Sequence, residues 1–132
     1  MLRISNDGII TLSRGDNCEM PLFINAGTEL EPLRYDLNKN NKTIIYFSLM
    51  QPNQYFENGC LRRMYSAENS LKNKNDKLWH INDNGDLVIY FEPKDTMYLM
   101  PGKYFYEIKA DLTGEGYINT IIQKTEFYIQ WY

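Results

Sequence analysis

Short runs of alternating apolar and polar residues, cut by turn formers roughly every 8–12 positions, constrain this chain more than any other feature. The turn residues interrupt each run before a helical period of useful length can build up. Strands are expected at 8–13, 19–25, 43–50, 61–65, 78–81, 86–91, 104–110, 118–123 and 125–131. Residues 43–50 read most clearly, with Ile44, Tyr46 and Ser48 on one face and Ile45, Phe47 and Leu49 on the other. Both faces are largely apolar, which suits a central strand. Pro21 cannot donate to a ladder, so its run belongs at an edge or a bulge. Asn82-Asp83-Asn84-Gly85 and Gly114-Glu115-Gly116 supply hairpin turns, because Asn and Gly tolerate positive φ. Residues 26–42 read as a loop pinned by Leu30, Leu33, Tyr35 and Leu37, and 66–77 as a solvated loop or a single helical turn. In the last run Phe127, Ile129 and Trp131 are expected to face one way. The pattern is that of an all-β, antiparallel sandwich of about seven to nine strands, with residues 1–132 forming a single domain.

Composition agrees with that reading. Eleven Tyr, six Phe and two Trp favour strands over a helical bundle. At 132 residues the chain can bury a core without metal or disulfide staples. A net charge of −3 argues against a general nucleic-acid partner, which needs a basic face. The first residues lack an apolar run of signal-peptide length, so synthesis in a cytoplasm is expected. No run is long enough to span a membrane. Cys18 and Cys60 stand apart without metal or redox spacing, which points to reduced structural thiols and leaves a single bridge open.

Candidates for chemistry are thin, and no catalytic, cofactor-binding or metal-binding residue is assigned. His80 sits between Trp79 and Ile81 without a visible partner, the setting of a structural histidine. Asn82 to Asp86 resembles a calcium loop, but its closing ligand would fall on Phe91. Glu92 and Asp95 could form a carboxylate pair, yet acids beside turns usually bond nearby amides. Arg14-Gly15-Asp16 follows a strand, where Gly15 permits a bend and Asp16 bonds local amides, so a turn is expected rather than an adhesion motif. Asp95-Thr96 suits the cap of a single turn, and Pro101-Gly102 a sharp bend before the aromatic strand that begins at Tyr104. Tyr35, Tyr55, Tyr65, Tyr98, Tyr117 and Tyr128 are the expected interface residues, as a protein-contact surface or a sugar platform.

In order along the chain, the segments 9–16, 83–89, 95–108 and 120–129 resemble the phage baseplate upper protein N-terminal domain family. The shared features are an early Arg14-Gly15-Asp16 turn, an Asp95-Thr96 segment leading to Tyr104, Tyr106, Glu107 and Ile108, and a final pair of strands joined by a short turn. The resemblance implies an immunoglobulin-like, Greek-key sandwich and a structural role in the virion of a tailed phage. It implies no catalytic residue. The segments 26–42 and 51–77 depart from the family pattern, and family modules usually continue into a further part. The function expected is therefore a tail or baseplate component or adaptor, acting through protein–protein contacts in a multi-copy assembly. Capsid head decoration or a head-fibre connector is one alternative, and a module binding a host-surface glycan is another. The expected partners are other virion proteins, a second copy of the chain or a host glycan, with no nucleic acid and no membrane.

Overall fold

Alternating side chains and Gly-bearing turns produce nine strands among the described residues. The computed structural model describes residues 2–5, 7–68 and 79–131. The strands are β1 (Leu2–Ile4), β2 (Ile10–Ser13), β3 (Cys18–Leu22), β4 (Ile44–Met50), β5 (Leu61–Ser66), β6 (Trp79–Ile81), β7 (Leu87–Phe91), β8 (Gly102–Asp111) and β9 (Ile118–Gln130). One helical turn, α1 (Pro93–Thr96), joins β7 to β8, and a 3-10 turn at Phe56–Asn58 lies between β4 and β5. No helix among these residues is long and apolar enough to cross a membrane.

Two sheets pack face to face. The larger has the order β1-β2-β9-β8-β4-β5 and the smaller β3-β7-β6. Every pairing is antiparallel except β2 with β9, which runs parallel from Ile10↔Phe127 to Ser13↔Gln130. The chain changes sheet between β2 and β3, β3 and β4, β5 and β6, and β7 and β8, so pairing is mostly between distant segments. The central position expected for β4 is observed, between β8 and β5. Pro21 does sit on an edge strand, since β3 pairs only with β7.

Inward faces fill the space between the sheets. Leu12, Phe47, Leu49, Leu87, Ile89, Phe91, Ile108 and Phe127 are buried almost without remainder. At the centre, Phe47, Phe91, Tyr106 and Phe127 stack or meet edge to face, with ring centroids 5.9–6.2 Å apart. Such geometry sets the positive ring edge against a negative face and adds to area burial.

Two turns follow their sequence signals closely. In the β6–β7 hairpin Gly85 has φ +86°, and Asn82 Oδ1 accepts from the amides of Asn84 and Asp86 at 3.0 Å. Between β8 and β9 the Asp111 carboxylate accepts from the amides of Gly114 (3.0 Å) and Gly116 (2.8 Å). Both glycines hold positive φ.

Several expectations are corrected. The two final strands and the short turn between them are one continuous strand, β9, and the irregularity is a register shift around Tyr106 and Ile108 where β8 faces it. A bulge lets one ladder bend without breaking, so the polar residues at 123–125 need no turn. Trp131 does not share the buried face of Phe127 and Ile129; it lies beyond the strand, exposed. The N-terminal β1 carried no strand signal, being three residues long, and exists by pairing with β2. The first expected strand is shorter, Ile10–Ser13. The expected loop or turn at 66–77 falls outside the described residues from 69 onward.

Candidate protein-contact surface

The two motifs that stand out in the sequence meet in space. β2 and β9 end together, and the amide of Arg14 donates to Gln130 O at 2.7 Å, extending the parallel ladder into the turn. Gly15, with φ +77°, turns the chain, and its amide donates to Thr96 Oγ1 at 2.8 Å. Arg14 Nε donates to Met97 O at 2.8 Å, and Nη2 reaches the same oxygen. Its guanidinium also lies over the Trp131 ring, 5.1 Å from the centroid. The amide of Asp16 closes the turn on Ser13 O. Arg14 thus holds a loop more than eighty residues away, a construction role rather than a free adhesive tripeptide.

The helical turn is anchored from below. Pro93 occupies its first position, where a missing N–H costs nothing. The cap differs from expectation: Glu92 is the N-cap residue, and Asp95, three residues on, accepts from the Glu92 amide through Oδ2 at 2.8 Å. Asp95 Oδ2 also pairs with Arg63 Nη2, both side chains being about nine-tenths buried (10% and 8% exposed). Arg63 Nη1 donates to Tyr90 O at 2.6 Å, and the guanidinium lies 5.5 Å from the Phe91 centroid. Burial alone would lower the Arg63 pKa, but the facing Tyr65 and Asp95 outweigh it and hold it raised. Tyr104, at the start of β8, completes the frame by donating its hydroxyl to Met100 O at 2.6 Å. Burial pushes that hydroxyl's pKa up. Tyr104→Phe should therefore cost about 1–2 kcal/mol, because Met100 O loses its partner. Urea unfolding of the two proteins checks it, and equal midpoints would refute it.

On this frame sits a concentration of exposed large apolar side chains: Met97, Tyr98 (82% exposed), Met100 and Trp131, with Tyr55 on the β4–β5 loop at the same end of the sandwich. The end is shared because β4 finishes, β8 begins and β9 finishes side by side. Aromatic, Met and Arg side chains are the types enriched at interface cores. Thioethers add a surface that adapts to its partner.

The six expected interface tyrosines do not form one surface. Tyr55 and Tyr98 belong to the end just described, and Tyr117 is exposed at the opposite end, before β9. Tyr65 is a correction: it is 2% exposed, paired with Ile45 on the inward face of β5 and edge-on to Trp79. Tyr35 is half-buried against the core, 3.4 Å from Thr43 Oγ1. Tyr128 lies on the outer face of the larger sheet and donates its hydroxyl to Glu126. Beside it Phe105 is flanked by Lys103 and Lys124, 5.5 and 4.8 Å from its centroid. The outer-face aromatics are therefore largely partnered within the chain. Gly102 opens β8 with φ +150°. Sequence reasoning missed Met97, Met100 and Trp131; the available signal was the apolar run 97–100 standing in a loop between a cap and Pro101.

The titratable candidates are committed elsewhere. His80 Nδ1 lies 2.9 Å from the Tyr90 hydroxyl. Glu92 pairs with Lys94 at 3.2 Å, and Asp95 with Arg63. Cys18 and Cys60 are both free thiols, each with its pKa pushed up by burial, the reverse of activation. Among the described residues no group of three or more His, Cys, Asp or Glu is placed to hold a metal. No family model, curated protein or solved structure matches the chain.

Proposed function

We propose that this chain is an immunoglobulin-like, Greek-key module of a tailed-phage virion, a tail or baseplate component or adaptor acting by protein–protein contact. The strand order supports the fold reading. β3-β7-β6 facing β2-β9-β8-β4-β5 corresponds to the B-E-D and A′-G-F-C-C′ arrangement of variable-type immunoglobulin sandwiches. Tyr104 bonding back to Met100 O corresponds to the tyrosine corner of such folds. The inter-sheet disulfide of antibody domains has no counterpart, and the ring cluster of Phe47, Phe91, Tyr106 and Phe127 occupies the centre instead.

The observation that carries the functional reading is the apolar end built on Arg14, Asp95 and Tyr104. Exposed apolar groups held on a hydrogen-bonded frame suit a docking surface, since little freedom is lost on binding. Repetition in a symmetric particle multiplies a contact that is modest by itself. Immunogold electron microscopy with an antibody to this chain, on particles from the source culture, tests the assignment. Label at the tail tip is the expected result. Label spread over heads would move the protein to capsid decoration. Particles without label would overturn the virion role and favour a free module, for which glycan-array binding through Tyr55, Tyr98 and Trp131 is the next measurement.

A further inference from the structure

The loop 25–34 is the second unusual feature of the surface, and it lies at the end opposite the apolar patch. β3 runs away from the Arg14 turn and β4 runs back toward it, so the segment joining them sits at the far end. The loop is tightly organised. Asn25 Oδ1 accepts from the amides of Gly27 (2.8 Å) and Leu33 (3.0 Å), and Asn25 Nδ2 donates to Thr28 O. The Ala26 amide donates to Leu33 O at 2.7 Å, and the Glu31 amide to Thr28 Oγ1 at 3.0 Å. A side chain at Gly27 would overlap Glu31 O, so the backbone is closed around that point. The result presents Leu30 at 95% exposure, between the exposed Glu29 and Glu31. Neither carboxylate has an ion-pair partner among the described residues.

These two ends complement one another. One offers a projecting Leu between two carboxylates; the other offers an apolar surface with the Arg14 guanidinium in it. We propose that copies of this chain associate head to tail, Leu30 of one copy seating on the Tyr98, Met100 and Trp131 surface of the next, with Glu29 and Glu31 facing Arg14. The aromatic ring and thioether accept an aliphatic knob, and desolvation strengthens the charge contact. Because the two surfaces differ and lie at opposite ends, the contact is heterologous. It closes into a ring or continues as a stack, in either case using each copy once as knob and once as socket. The inference rests on reading the apolar end as a protein-contact surface and names its partner.

Sedimentation velocity and small-angle scattering on the full chain, up to about 1 mM, reach contacts of millimolar strength. The wild-type protein should grow beyond a dimer with concentration. Leu30→Lys and Met100→Lys, both at exposed positions, should each weaken association at least about tenfold while keeping the wild-type melting curve. If Met100→Lys fails to fold, Tyr98→Lys takes its place. The equimolar mixture of the knob and socket variants is decisive: one intact knob meets one intact socket, so discrete dimers should form and grow no further. A monomeric wild type, association that survives both substitutions, or a mixture that stays monomeric each overturns the proposal. A monomeric wild type would leave the virion assignment standing, because particle labelling decides that separately.

Discussion

Asp95→Ala should destabilise the protein by about 3–5 kcal/mol, the usual cost of breaking a buried ion pair by removing one partner. The substitution leaves the Arg63 guanidinium among Phe91, Tyr90 O and the sheet with its counter-charge gone. It also strips the Glu92 amide of its acceptor, so the helical turn that carries the apolar end loses its start. Replacing both charges, Arg63→Met with Asp95→Ala, should recover part of the loss, because no buried cation remains to be desolvated, while the Glu92 amide and Tyr90 O stay without these partners. Urea unfolding midpoints at unchanged slope provide the measurement. A single variant as stable as wild type would mean that water reaches the pair.

Phe91→Ala should cost a comparable amount, about 3–5 kcal/mol, from lost transfer energy and the cavity left behind. Phe91 is fully buried at the end of β7, edge-on to Phe47 at 5.9 Å and to Phe127 at 6.1 Å. It joins the small sheet to the large one, so neither sheet can close the gap without moving the other. Whole domains are stable by only about 5–15 kcal/mol, so this one side chain accounts for a large share. Phe105→Ala on the outer face is the matched control, and its effect should stay near 1 kcal/mol or below. If the two variants melt alike, the ring cluster is not the centre of the core.

The parts of the fold that were legible are those governed by local chemistry. The β4 alternation, the Asn82–Gly85 hairpin and the edge position implied by Pro21 all appear where the residue types require them. The division of 118–131 into two strands at Lys124 failed because the polar run Gln123, Lys124 and Thr125 interrupts the apolar alternation. In the structure they ride on a bent ladder whose continuity comes from β8. Tyr65 was misread because a tyrosine in a basic strand carries no sign of which face it occupies. The register of β5 on β4 turns it inward. The contact surface was legible only in part. Tyr55 and Tyr98 were among the expected interface residues, whereas Trp131 was placed on the face of Phe127 and Ile129 by extending the alternation one step past the last ladder bond.

By itself the amino-acid sequence determined an all-β chain, most of its strands, its hairpin turns and the local bend at Gly15, since alternation and allowed φ are properties of neighbouring residues. Only the tertiary structure decided that β2 runs parallel to β9, that Arg14 holds Met97 O across 83 residues, and that Arg63 meets Asp95. These pairings depend on how two sheets stack, and nothing within any one segment records its distant neighbour. The apolar end arises the same way: Arg14, Met97, Tyr98, Met100 and Trp131 become one surface because separate strands finish side by side.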